Sequence, residues 1–539
     1  MSKNIGYLLG IDVGTGSARA GIFSVDGMLI ATDKSDIALY REDGNVVEQS
    51  SNDIWQAVIK AVRGALALSA VKAENILGIG FDATCSLVVL GAQGEPLPVG
   101  DPSLPERNIM LWMDHRAIEQ AERINALGHR VLDYVGGRIS PEMETPKLLW
   151  LKENRPEVFN NAWQFMDLTD FLTWRATGDL ARSVCTLTCK WTYMAQETAW
   201  DKSYFETVGL KELSDEGFKR IGTEVVSAGS ALGAGLTESA AMDLGLKVGT
   251  PVAAGLIDAH AGGIGSIGAL NEGGATANMA YVFGTSSCTM TSTHEPVFVP
   301  GVWGPYYSAM VPGLWLNEGG QSAAGAAIDQ LLEFHPYTAT AQSLATDAGL
   351  TVPEWLLQQV ERLLANRTDA ACLAKGQHVV PDFLGNRAPH ADPHTRAVVT
   401  GLGMQNNLAS LVSIYIAGLC GIGYGLRQII EAQDKAGAKI ERIVISGGAG
   451  KSDLVRQLLA DATGLEITTP ATEEPVLLGS AILGSVAAGV HDDIPAAMAE
   501  MSSFSRRFEP QIGTVQALHV ERFAIFERLQ AIARQSVNV

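Results

Sequence analysis

Positive charge is scarce in this 539-residue chain, where 39 lysines and arginines stand against 59 aspartates and glutamates for a formal charge of -20. Such a surface repels phosphate backbones and anionic bilayers, so neither nucleic acid nor a membrane is an expected partner. Cysteine is sparse as well. The six thiols, at 85, 185, 189, 288, 372 and 420, form no CxxC pair and have no histidines spaced to complete a zinc site, which leaves buried free thiols as the expectation. The amino terminus, MSKNIGYLLGID, lacks a long apolar core and a small-residue cleavage site, and a cytoplasmic protein is expected. The one stretch that suggests a membrane is Leu408 to Leu426, uncharged for nineteen residues, whose four glycines and lack of a second span favour a buried helix over a membrane span. Low-complexity segments and long linkers are also lacking.

What the chain does have is alternation of glycine-bounded apolar strands with amphipathic helices, the pattern of an α/β protein long enough for two domains. Ile54, Trp55, Val58, Ile59, Val62, Ala65 and Leu66 recur at helical spacing after Ser51 or Asn52, either of which can cap free N–H groups. Further on, PKLLWLKENRPEVF reads as a helix closed by Pro156, and ILGIGFDATCSLVVLGAQG as two strands with a polar break at Asp82 to Ser86.

The stretch YLLGIDVGTGSARAGIFSVDG, Tyr7 to Gly27, reads as strand, glycine turn, strand, with a second tight turn at Asp26-Gly27. Glycines at Gly14 and Gly16 allow positive φ and close backbone approach, so N–H groups and the Thr15 and Ser17 hydroxyls can face an anion such as a phosphate. Asp12 can then hold magnesium through its waters. An ordinary hairpin with a turn-stabilising acid is the plainer alternative. The pattern returns in MAYVFGTSSCTMTST, with Gly284 lying 270 positions after Gly14 and Val282 standing where the first copy has Asp12. In VISGGAGKSD, a resemblance to a P-loop fails on spacing, because the position that needs glycine holds Ile445. The stretch reads better as strand Ile443 to Ser446, a glycine turn able to take a flat group, and a helix from Asp453 to Thr463 capped by Ser452.

Two acids close apolar strands. Asp258, in GLIDAHAGG, is followed by small residues that leave open space, and a carboxylate there can accept a proton from a hydroxyl attacking a phosphoryl group. Capping the next helix is its bland alternative. Glu318, in LNEGGQSAAG, precedes a Gly-Gly turn and a small-residue helix.

Taken in order, GIDVGTGSARAGIFSVDG, GFDATCS, WMDHRA, TPKLLWLKEN, GLIDAHAGG, FGTSSC, EGGQSAAG, ISGGAGKSDLVRQLLADATG and EEPVLLGSAILG resemble the FGGY carbohydrate kinases of the actin-like ATPase superfamily. The resemblance implies two actin-like, ribonuclease H-like domains, 1-257 and 258-539, with ATP and sugar meeting in the cleft between them. It implies that Asp12 serves Mg2+, that Gly14, Thr15, Gly16, Gly284 and Thr285 face the ATP phosphates, and that Gly447 and Gly448 border the adenosine. It implies Asp258 as the base. GFDATCSLVVL, LTCKWTY and EGGQSAAG are similar to the ribulokinases and their pentulose-kinase relatives, which places Ala83, Lys190, Asp258 and Glu318 around a ketopentose; overall likeness to the D-ribulokinase branch favours D-ribulose, with an L-ribulokinase or another pentulose or pentitol kinase as the alternative. Small Ala83 would leave room for the sugar chain, whereas a surface lysine on a strand is the bland reading of Lys190. Glycerol kinases carry Asn-Gln-Arg-Glu where this chain has Ala83-Thr84-Cys85-Ser86, which disfavours glycerol. A non-sugar actin-like ATPase is the rival class, and it has no need of Lys190 and Glu318. A homodimer is the expected form if the protein is oligomeric.

Overall fold

Strand β1 (Tyr7–Val13) turns back through Gly14 to Gly16 into β2 (Ser17–Ser24), and Gly27, at φ +87°, makes the tight turn toward β3 (Leu29–Asp36). The computed structural model describes residues 6–42, 45–269, 272–364, 367–374 and 376–536. Strands β4 (Ile76–Ala83) and β5 (Leu256–Ile257) complete a five-stranded sheet of order β5-β4-β1-β2-β3. Strand β1 runs antiparallel to β2, which runs antiparallel to β3, while β1, β4 and β5 are parallel.

The second half repeats this plan. Strands β6 (Asn278–Phe283), β7 (Ser287–Thr293), β8 (Trp303–Tyr307), β9 (Trp315–Gln321), β10 (Arg442–Ser446), β11 (Glu466–Pro470) and β12 (Phe504–Phe508) form a seven-stranded sheet of order β8-β9-β7-β6-β10-β11-β12. Its five inner strands carry the pairings of the first sheet: β6 antiparallel to β7, β7 antiparallel to β9, and β6, β10 and β11 parallel. The matching of the two glycine hairpins seen in sequence is thus a matching of whole sheets.

Six helices position the site. Helix α1 (Ser51–Ser69) buries Ile54, Trp55, Val58 and Val62 against the first sheet, each such side chain contributing roughly 1.5–3 kcal/mol. Its cap is Ser50, one residue before the two that the sequence suggests, because the Ser51 N–H is already held by Asn108 Oδ1 at 3.0 Å. Next come α2 (Val184–Lys190), α3 (Asp258–Ile267), α4 (Leu408–Ala436), α5 (Asp453–Thr463) and α6 (Pro475–Ala487). The helix Glu144–Asn154 ends just before Pro156, as the sequence suggests, and Pro156 also opens the next helix, Pro156–Asn161, since proline suits the first helical position, where no N–H is needed. Helix α4 is long and apolar enough to cross a membrane, yet 78% of its apolar window is buried inside the protein. Around α5 the sequence expectation holds, with Gly464 closing the helix at φ +76°, except that the Ser452 side chain makes no capping bond.

Helices α3 and α6 pack backbone to backbone between the sheets. A Cβ on Gly265 would lie 1.9 Å from the Pro475 carbonyl oxygen, and one on Gly80 of β4 would lie 1.9 Å from that of Ser480. Helix α6 therefore ties the second half of the chain directly onto the first sheet.

Candidate functional site

The two glycine hairpins face one cavity of about 640 Å³, which both halves of the chain line. At its rim, the first hairpin is closed by the Gly14 N–H donating to Ser17 O at 3.0 Å and is tethered from outside. Gln49 Nε2 donates to Thr15 O at 2.8 Å, and Trp112 Nε1 donates to the Thr15 hydroxyl at 3.1 Å. Neither Gly14 nor Gly16 uses positive φ, contrary to the sequence expectation. Their use is space: a Cβ on Gly16 would meet nothing within 4 Å, so the turn presents bare backbone to whatever enters. The second hairpin closes through the Gly284 N–H donating to Ser286 O at 3.0 Å, and its carbonyls accept from the N–H groups of Ala324, Gly325 and Ala326.

Below the first hairpin lies a cluster of acids. Asp12, nearly fully buried, pairs with Arg19, whose Nε donates to Oδ2 at 2.8 Å and whose Nη1 reaches Glu474 at 2.7 Å. Strand pairing sets Asp82 directly beside Asp12. Ser480 Oγ donates to Asp82 Oδ2 at 2.6 Å, while Oδ1 is buried with no hydrogen-bond partner among the described residues. Burial, reinforced by the charge of Asp12, raises the Asp82 carboxyl well above the usual range. Asp258 opens α3 and accepts the Ala259 N–H at 2.7 Å. Burial first and Asp12 second push its pKa up to about 6. Three carboxyl groups with Arg19 as the close cation make a set that a hard, oxygen-liganded cation would suit, and Asp12 faces the cavity that would admit it.

The opposite wall carries Lys190 and Glu318. Lys190 ends α2 and is 4% exposed, so the bland reading of a surface lysine on a strand does not hold. Its Nζ sits 4.8 Å from the centre of the Trp303 ring with no hydrogen-bond acceptor or ion-pair partner among the described residues. Burial opposes its charge, but Cys85 and Glu318 outweigh burial and raise its pKa. Arg387 lies 5.2 Å from the same indole ring. Glu318 sits inside β9, not before a turn, because Gly319 and Gly320 continue the strand; a Cβ on Gly320, at φ +147°, would lie 2.0 Å from Ser287 O. Burial would raise the Glu318 carboxyl, but Lys190 and then His260 pull it down to about 2.

Three expected residues lie elsewhere. Ala83 is fully buried, its methyl in the core with Ile11 and Val13, and the adjoining Thr84 and Cys85 line the cavity instead. Gly447 lines a second cavity of about 330 Å³ together with Gly450, Lys451, Arg456 and Thr469, which Gly448 does not line. Consecutive residues Pro475 and Val476 border the two cavities in turn. Sequence reasoning passed over Glu142, Trp303 and Arg387, which also line the large cavity; Trp112 lay within a quoted motif without a role. Three cysteines are buried and Cys372 is exposed. Cys185, Cys189 and His260 bring their donor atoms within 4.8 Å of one another, a cluster that residue spacing did not reveal.

Models of the FGGY family of carbohydrate kinases match the chain over residues 7–265 for the N-terminal domain and 279–488 for the C-terminal domain. An FGGY carbohydrate kinase domain-containing protein of Danio rerio is 43% identical over 542 residues, covering 99% of each chain. A D-ribulokinase of Saccharomyces cerevisiae is 37% identical over 551 residues, covering 96% of this chain and 77% of its own. The fold is similar to that of a ligand-bound xylulose kinase from Lactobacillus acidophilus, with TM-score 0.81, 20% identity and 99% of both chains covered.

Proposed function

Because the chain belongs to the FGGY family of carbohydrate kinases, we propose that this sugar kinase phosphorylates a ketopentose at its terminal hydroxyl, converting D-ribulose and ATP to D-ribulose 5-phosphate and ADP. The observation that carries the reading is the convergence of both hairpins, Asp258, Lys190 and Glu318 on one cavity. The similarity to a D-ribulokinase supports the choice of sugar. Lys190 and Glu318 offer a buried donor and a buried acceptor to neighbouring hydroxyls, and a site built on such groups rejects analogues that lack them.

Asp258 takes the proton of the terminal hydroxyl as that oxygen forms its bond to the γ-phosphorus and the bond from phosphorus to the bridging β-oxygen breaks. With a pKa near 6 it is ionised at neutral pH, and it returns the proton to solvent after the products leave. Gly14, Thr15 and Gly16 face the phosphates from one side, Gly284 and Thr285 from the other, and Gly447 borders the adenosine. Asp12 would hold magnesium through its waters, and the ion would offset phosphate charge. We divide the domains between Ile257 and Asp258, where β5 ends the first sheet. Closure of the two around the substrates excludes water.

The test is ADP release with ATP and magnesium over D-ribulose, L-ribulose, D-xylulose, pentitols and glycerol. D-ribulose is expected to give the highest kcat/KM, with activity lost in EDTA and restored by magnesium. Preference for a pentitol or glycerol would refute the ketopentose reading.

A further inference from the structure

Behind the cleft, Cys185, His260 and Glu318 form a buried line. His260 Nδ1 lies 3.2 Å from Cys185 Sγ, and His260 Nε2 lies 3.4 Å from Glu318 Oε2. Cys185 and His260 are 0% exposed and Glu318 is 7% exposed. Both ring nitrogens are engaged, so the imidazole cannot turn without losing a partner. The thiol is fixed in its turn: the Ile257 N–H donates to Cys185 Sγ at 3.4 Å, and Ser183 Oγ accepts the Cys185 N–H at 3.2 Å while donating to Gly255 O at 2.6 Å. The second Glu318 oxygen accepts from Cys288 Sγ at 3.6 Å.

The line joins three elements that each present a group to the cleft. Helix α2 carries Cys185 and, at its end, Lys190; α3 carries His260 and, at its start, Asp258; β9 carries Glu318. Charge alternates along it. Burial opposes ionisation of Cys185, but contacts with Cys189 and His260 bring the thiol down to about 5. Burial likewise opposes the imidazolium, but Cys185 and Glu318 raise it to about 10. Thiolate, imidazolium, carboxylate and the Lys190 ammonium then follow one another, each flanked by opposite charge.

We propose that His260, locked by Cys185, is a positioning residue that holds the Glu318 carboxylate in the cleft for the sugar. The proposal rests on the sugar-pocket reading given above. His260 touches no reacting atom and acts through Glu318. Cys189 would make a third metal donor beside Cys185 and His260, but no fourth donor joins that group among the described residues.

The experiment compares full-length His260→Ala and His260→Gln, each alone and combined with Glu318→Gln, on whichever panel substrate the wild type phosphorylates best. His260→Ala is expected to raise the sugar KM about tenfold to a hundredfold, the loss of one hydrogen bond to a charged group, with the ATP KM within about twofold. His260→Gln should recover part of the loss, since its amide can still donate to the carboxylate. In the Glu318→Gln background His260→Ala should add little. Equal effects in both backgrounds, or sugar and ATP KM rising together, would overturn the proposal. So would zinc bound at one ion per chain and lost in Cys185→Ser. A wild type that prefers glycerol or a pentitol refutes the ketopentose reading and leaves this comparison intact. If His260→Ala fails to melt cooperatively, His260→Gln and Cys185→Ser carry the same comparison.

Discussion

Replacing Asp258 by asparagine removes a carboxylate while keeping its shape, and it should move turnover and stability in opposite directions. Asp258 is held at about 6 by burial and by Asp12, against an ordinary value of 3.8. The native state therefore binds this proton more tightly than the unfolded chain does. The ionised form costs stability at pH 7, and the cost shrinks as pH falls below 6 and vanishes only below the unfolded value of 3.8. Two pK units correspond to about 3 kcal/mol. Asp258 is only half-buried and lines the open cleft, where solvent screens its charge, which leaves about 1–2 kcal/mol. Asp258→Asn should thus unfold at higher urea than the wild type at pH 7, and the gain should shrink toward pH 5. Glu144, raised to about 7, and Asp170, raised to about 6, titrate in the same window in both proteins and cancel in the comparison. Turnover should fall about 10²–10⁴-fold, the usual contribution of a positioned base. The wild-type kcat/KM, read by ADP release, should drop about tenfold between pH 7 and pH 5 as Asp258 takes up its proton. An asparagine variant with wild-type turnover, or a flat wild-type profile over that range, would refute the reasoning. Lower stability of the variant at pH 7 would refute the electrostatic half.

Other parts of the cleft make separable predictions. Gly16→Val adds a side chain where the protein offers no contact within 4 Å, so melting should be unchanged while the ATP KM rises; equal ATP affinity would show that no phosphate approaches this turn. Gly10→Ala sets a Cβ 2.1 Å from the Leu477 carbonyl oxygen, and the overpacking of α6 on β1 should cost about 1–3 kcal/mol in urea unfolding. Lys190→Met removes the cation that faces Glu318 and should raise the sugar KM about tenfold or more with the ATP KM unchanged, measured by ADP release. Native titration with a thiol reagent should label Cys372 rapidly and leave Cys185, Cys189 and Cys420 unlabelled until the chain unfolds.

Local features were the readable ones. Strand, glycine turn and strand lie within a single short segment, so both hairpins and their 270-residue offset could be taken from spacing alone, and Asp258 could be taken from its place at the end of an apolar run. Errors arose where the side chain's direction or a partner far along the chain decides. Ala83 and Thr84 are neighbours, but the first points into the core and the second lines the cavity, a difference that strand alternation sets and motif position does not reveal. LTCKWTY is a short apolar run that fits strand or buried helix equally by periodicity, and tertiary packing makes Val184–Lys190 a helix. The Gly319-Gly320 pair looked like a turn, yet it continues β9 because β7 approaches too closely for any side chain at Gly320. Cys185 and His260 stand 75 positions apart and His260 and Glu318 stand 58 apart, so no local pattern could join them.

The repeated sheets also show that only the first hairpin has a carboxylate at its matching strand position. In the first copy Asp12 is paired in register with Arg19 on one side and Asp82 on the other. In the second copy the matching strand position is Val282, flanked by Cys288 and Ser446. The same topology therefore presents backbone turns twice and a carboxylate floor once. Two acidic floors facing each other across a closed cleft would repel both one another and the phosphates between them, whereas one floor can be balanced by a single divalent ion. Asp258 and His260 stand on α3, the helix that leaves the first sheet, and Glu318 stands on a strand of the second. The proposed base is thus next to the acidic floor, and the carboxylate proposed for the sugar is across from it, beside Lys190. That separation lets Asp258 keep a pKa near 6 under the influence of burial and Asp12, while Lys190 and His260 pull Glu318 down to about 2.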